Sequence, residues 1–128
     1  MNLNQLTLPS VDLLRAIPFY EKLGLQLIVD SRPRYARFVC PDGNTSVSLH
    51  HVDVLPQGPG IRVYFECEQL DETVAELEAQ GISFLMPPTD QEWLWREAHL
   101  LDPDGNYLIL YHAGENRLNP PWRINPDR

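Results

Sequence analysis

Leu101-Asp102-Pro103-Asp104-Gly105-Asn106-Tyr107-Leu108-Ile109-Leu110-Tyr111-His112 is the stretch that decides the fold. Pro103 presets φ, Asp104 can bond its own backbone, and Gly105 or Asn106 tolerates positive φ, so the middle of the stretch is a turn. The aromatic and branched run that follows suits a pleated surface and is too short for a helix. The same quartet, Pro41-Asp42-Gly43-Asn44, occurs earlier, again between two apolar runs. That repetition organises the remaining residues.

Working outward, Trp93–Leu101 reads as the strand entering the second turn, and Pro87–Glu92 as a loop before it. Ile82–Met86 is a short strand. Gln69–Gln80 is an amphipathic helix on which Leu70, Val74 and Leu77 align, Asp71 and Glu72 suit the positive N-terminal end, and Gly81 is the stop. Ile61–Cys67 opens this half as a strand with Arg62, Tyr64 and Glu66 on one face. Asp53–Gly60, with two prolines and two glycines, has no periodicity and connects the halves.

The first half has the same order. Leu3–Pro9 alternates Gln5 and Thr7 with Leu6 and Leu8 and reads as a strand. Ser10 or Asp12 caps a helix carrying Leu13, Ala16, Ile17, Tyr20 and Leu23 at helical spacing, and Gly24 ends it. Pro18 is the misfit, because an interior proline costs about 3 kcal/mol. A regular helix starting near Leu14 or Arg15 would place it in the first turn. Strands at Leu25–Asp30, Arg34–Cys40 and Thr45–His51 complete the half.

Gly24 matches Gly81 at an offset of 57, and the two turns match at an offset of 62, so a small insertion around Pro87–Glu92 separates the copies. The expected class is α+β: two tandem βαβββ modules, about 3–52 and about 60–113, forming a curved mixed sheet with a concave cleft and helices on its convex side. Residues 1–113 form one domain in this reading. Residues 114–128 form an irregular tail in which Trp122 anchors Pro120-Pro121-Trp122-Arg123.

The 128 residues can bury a core without a staple. Cys40 and Cys67 lie in strand-like runs and read as reduced thiols in the cytosol, although spacing does not exclude a bridge. No basic segment leads into an apolar run at the N-terminus, and no apolar stretch approaches a membrane span, which gives a cytoplasmic expectation. The net charge is -8 and Lys22 is the sole lysine, so nucleic acid and anionic membranes lack a basic cluster to meet. A small-molecule ligand is the expected partner.

Asp12, Ala16, Phe19-Tyr20 and Leu23-Gly24, followed by Trp95-Arg96-Glu97 running into Asp102-Pro103-Asp104-Gly105-Asn106, resemble the vicinal oxygen chelate superfamily. This is the glyoxalase, bleomycin-resistance and extradiol-dioxygenase fold, and the similarity covers residues 3 to about 112. The resemblance implies four metal-binding positions in the cleft, which fall here at Gln5, Ser48 (Val47 if the register slips by one), Arg62 and Ile109. An aliphatic Ile109 has no donor atom, and the Arg62 guanidinium neither ligates nor loses its proton. No cofactor and no metal site is therefore expected. A centre built from His50, His51, His99 and His112 is disfavoured, because His50 and His51 point to opposite faces.

The expected cleft lining is Gln5, Thr7, Ser48, His50, Arg62, Tyr64, Tyr107, Ile109 and Tyr111, joined by Trp95 and Glu97, a mixed aromatic and polar wall of the kind small molecules occupy. Arg62 either receives a ligand anion or pairs internally with Glu66 or Glu97. Three functions stay open. The first is a metal-free protein that binds a small molecule without assigned catalytic residues. The second is a divalent-metal lyase, isomerase or dioxygenase. The third is a metal-free enzyme using Glu97, His50 or Tyr64 as acid or base. The resemblance also implies a homodimer as one assembly, with the tail either crossing to a second subunit or covering its own sheet.

Overall fold

The computed structural model describes residues 1–124. Gln5–Ser10 forms strand β1, and helix α1 follows at Leu13–Lys22. Asp12 sets the start, its carboxylate accepting the N–H of Leu14 at 3.1 Å, while Ser10 Oγ accepts the N–H of Asp12 at 3.2 Å. Pro18 is therefore inside the helix and not in its first turn as the spacing predicted. Its missing N–H leaves the Leu14 carbonyl without the usual partner, but Leu14 and Pro18 both lie on the exposed side, where water is available.

The first module continues with β2 (Gln26–Ser31), β3 (Tyr35–Val39) and β4 (Ser46–His51). The second repeats it with β5 (Arg62–Glu66), α2 (Leu70–Ala79), β6 (Met86–Asp90), β7 (Arg96–Leu101) and β8 (Tyr107–His112). Each module carries its own four-stranded sheet, ordered β1-β4-β3-β2 and β5-β8-β7-β6. The parallel pairs are β1 with β4 and β5 with β8. The duplication reaches the helix ends: Gly24 and Gly81 both have positive φ, and the next N–H groups, of Leu25 and Ile82, return to the carbonyls of Tyr20 and Leu77.

Three local expectations change. Strand β6 runs through Met86-Pro87-Pro88-Thr89-Asp90, where a loop was expected, and Ile82–Leu85 is not a strand. β6 is an edge strand, and its pairing with β7 slips between Met86 and Thr89, so neither proline has to supply a ladder N–H. Strand β7 begins at Arg96, because Trp93 and Leu94 belong to a tight turn with Leu94 at φ 68°. The tail contains a 3-10 turn at Gly114–Asn116, and Trp122 is 58 % exposed, so it does not anchor the tail.

By contact, the described residues form two compact units: Met1–Ile61 together with Leu101–Asn106, and Arg62–Leu100 together with 107–124. The core of the first unit joins Leu13, Ala16, Ile17 and Tyr20 of α1 to Leu8, Phe38, Val47 and Leu49 of the sheet. That of the second joins Leu70, Val74 and Leu77 of α2 to Val63, Leu108 and Leu110. In both sheets the helix takes one face, and alternation along the strands gives the other to polar and aromatic side chains.

Candidate functional site

Register decides which side chains share a face. In the first sheet Gln5 pairs with Ser46, Thr7 with Ser48 and Pro9 with His50, so Gln5, Thr7, Ser48 and His50 all point away from α1. Ser48, not Val47, is on this face. The hairpin between β3 and β4 adds Tyr35 opposite His50 and Arg37 opposite Ser48, two residues the sequence reading passed over. The Tyr35 hydroxyl donates to Ser48 Oγ at 2.9 Å, and Arg37 Nε donates to the Tyr35 oxygen at 2.9 Å. Hydrogen bonding with Ser48, reinforced by Arg37, holds the Tyr35 phenol below its ordinary range against the opposing effect of burial. Ser48 itself is buried and supports this surface from beneath.

The second sheet sets Arg62, Tyr64 and Glu66 beside Tyr107, Ile109 and Tyr111. Trp95 stacks on Tyr111 with ring centroids 4.7 Å apart, and Tyr64 meets both rings edge-on at 5.9 and 5.5 Å. Tyr64 remains 46 % exposed, whereas Ile109 is fully buried beneath Tyr111, Ala113, Trp95 and Tyr107. Ile109 and Tyr111 thus underlie the wall, and Tyr64 presents it. Burial, then the Glu66 carboxylate, pushes the Tyr111 phenol up.

Neither internal partner considered for Arg62 is used. Its guanidinium lies 4.5 Å from the Tyr107 ring centroid, and among the described residues it makes no salt bridge. Glu66 instead accepts the N–H groups of Ala113 and Gly114 at 2.8 and 3.0 Å. Burial raises the Glu66 pKa, but these N–H groups, with His112 and Arg117 nearby, outweigh that and hold it below the ordinary carboxylate range.

Glu97 is 2 % exposed, with Oε2 accepting from Trp93 Nε1 at 2.8 Å and Oε1 meeting His99 Nε2 at 2.8 Å. The other nitrogen of His99 is 2.6 Å from the Tyr107 hydroxyl. His99 enters the sequence reading within a disfavoured centre of His50, His51, His99 and His112. His99 and His112 lie on opposite faces of the sheet, since His112 alternates with Tyr111, and His112 Nδ1 meets the Cys67 carbonyl. The two-residue spacing of Glu97 and His99 on one strand was the signal that these two share a face, whereas their meeting with Tyr107 rests on the placement of β7 beside β8.

The chemistry of the four positions implied for a metal does not suit a divalent ion. Ile109 offers no donor and is sealed under aromatic rings, while Arg62 brings a fixed positive charge. Among the described residues, no three His, Cys, Asp or Glu side chains converge on a common point. Cys40 and Cys67 are not joined in a disulfide.

Two βαβββ modules of identical strand order, each with a polar or aromatic face opposite its helix, define a protein of the vicinal oxygen chelate type. The chain belongs to the Glyoxalase/Bleomycin resistance protein/Dioxygenase superfamily, whose sequence profile matches residues 2–110. It is 28 % identical over 127 aligned residues to protein YraH of Bacillus subtilis (strain 168), covering 87 % of this chain and 98 % of that one. A glyoxalase/bleomycin resistance protein/dioxygenase from Nocardioides superposes with a TM-score of 0.78 at 26 % identity, covering 98 % of this chain and 90 % of the other. The lactoylglutathione lyase of Agrobacterium tumefaciens gives 0.71 at 19 % identity over 87 % and 92 %, a likeness of fold.

Proposed function

We propose that the chain binds a small aromatic compound bearing a carboxylate or similar anion, without a metal, on the open face of the second sheet. The observation that carries this is Arg62: an exposed residue with no carboxylate partner among the described residues, its guanidinium carbon 4.5 Å from the Tyr107 ring centroid and one strand repeat, roughly 7 Å, from the half-exposed ring of Tyr64. Such a fork receives a carboxylate through two parallel hydrogen bonds, and the aromatic wall takes the apolar part. Trp95 holds the wall in place, its indole N–H donating to the Asn116 carbonyl at 3.2 Å. Glu97 enters as a supporting group bonded to Trp93 and His99.

Calorimetric titration with a series of aromatic carboxylates, including 2-oxo-4-phenylbutyrate, tests the reading. Charged hydrogen bonds contribute about 1.5–3 kcal/mol, so Arg62→Met should weaken binding roughly 10-fold or more. Unchanged affinity in Arg62→Met removes the anion site. Metal analysis of protein purified without added ions should find no stoichiometric divalent cation, and finding one would favour the lyase, isomerase or dioxygenase alternative. No helix among the described residues is long and apolar enough to cross a membrane. We read 1–113 as one cytoplasmic domain. Its homodimer is tested by light scattering on the whole chain and on one ending at Ala113.

A further inference from the structure

We infer that Tyr107 is a proton-transfer residue, with His99 and Glu97 as its positioning residues, and that the ligand bound at Arg62 is a carbon acid whose proton Tyr107 exchanges. The inference rests on the anion site proposed above and adds a reaction to it. The relay takes Glu97 as the acceptor and His99 as the neutral tautomer with hydrogen on Nε2, whose Nδ1 accepts from the Tyr107 hydroxyl 2.6 Å away. Both Glu97 oxygens are occupied, since Trp93 donates to the second at 2.8 Å. A phenol, an imidazole and a buried carboxylate thus stand in the order of a nucleophile–base–orienter relay.

Local backbone geometry supports this placement. Leu94 adopts φ 68°, costly for a branched side chain, in the turn where the Gln91 N–H bonds the Trp95 carbonyl and the Leu94 N–H bonds the Gln91 carbonyl. That turn returns the Trp93 indole to Glu97. His99 is 12 % exposed at its side chain and Glu97 3 %, so these two are shielded, while Tyr107, partly buried, is the end of the relay next to Arg62.

With a 2-oxo acid held by its carboxylate on Arg62, the step is a reversible enolisation. The C3–H bond breaks, and its electron pair forms the C2–C3 double bond as the carbonyl π pair moves onto oxygen. The C3 proton passes to the Tyr107 oxygen while the phenolic proton passes to Nδ1 of His99. Glu97 then faces an imidazolium and Arg62 an enolate, and return of a solvent-derived proton restores the ketone. No oxidant or metal is needed.

The test is NMR measurement of deuterium incorporation at C3 of 2-oxo-4-phenylbutyrate in D2O with the full chain, beside calorimetric binding on the same samples. General acid–base catalysis predicts acceleration of roughly 100-fold or more over buffer. Tyr107→Phe, which keeps the ring under Arg62, should bind the probe yet exchange at the buffer rate. His99→Gln should lose the acceleration as well, and serves alone if circular dichroism shows Tyr107→Phe unfolded. Glu97→Gln should alter the pH profile of the rate, which a purely structural role would leave in place. Bound probe exchanging at the buffer rate with wild-type protein overturns the relay and leaves the anion site standing. Wild-type exchange by folded Tyr107→Phe overturns it too, and absence of binding removes both.

Discussion

The Tyr20 phenol is fully buried, its ring against Phe19 and Phe38, and its hydroxyl donates to Asp102 at 2.5 Å. Burial first, then the Asp102 carboxylate, pushes its pKa far above the ordinary value of 10.0. A group whose folded pKa is raised contributes stability that is complete below its unfolded pKa and declines as pH rises beyond it. Urea unfolding should therefore show stability falling above about pH 10, where tyrosine ionises in the unfolded chain. Tyr20→Phe should lose about 1–3 kcal/mol at neutral pH, because a buried carboxylate oxygen forfeits a donor, and should show a shallower decline at alkaline pH.

Helix α1 carries the clearest conflict between local propensity and the observed element, and so offers a direct gain. Pro18→Ala would restore the N–H owed to the Leu14 carbonyl on an exposed face, raising unfolding free energy by about 1–3 kcal/mol, read as a higher urea midpoint at unchanged slope. The duplicated modules were legible because glycines at Gly24, Gly81, Gly43 and Gly105 all occupy positive φ, a backbone need that leaves a mark in sequence. Strand β6 was not, since Pro87-Pro88 reads as loop until the sheet order makes it an edge. The site divided the same way. Alternation along β5 and β8 put Arg62, Tyr64, Tyr107, Ile109 and Tyr111 on one face, but not which of them would be buried. The link from His99 to Tyr107 depends on cross-strand placement around the Asp102–Asn106 turn, and the fate of Arg62 depended on where Glu66 and Glu97 spent their hydrogen bonds.

At the scale of the whole molecule the decisive segment is Leu101–Asn106, which follows β7 and precedes β8 in sequence yet packs within the unit formed by Met1–Ile61. Asp102 accepts from Tyr20 and from the Asp104 and Asn106 N–H groups, the latter two at 2.9 Å, and Asn106 Nδ2 also reaches it at 2.8 Å. The same amide nitrogen donates to the Pro9 carbonyl, and the Val11 N–H donates to Asp104 at 2.8 Å. A chain threaded in this way cannot release the turn from the first unit without disturbing the connection between two strands of the second. Unfolding should therefore be one cooperative transition despite two sheets and two cores. All three tryptophans, Trp93, Trp95 and Trp122, lie in the second unit, so their fluorescence reports on it, while amide exchange along β1 and β4 reports on the first. Asp102→Ala strands the buried Tyr20 hydroxyl and three part-buried N–H donors and should cost about 3 kcal/mol or more. Both probes should shift by the same amount in that variant. If β1 and β4 amides exchange at denaturant concentrations that leave the tryptophan signal native, the units unfold independently and Asp102 secures only the first.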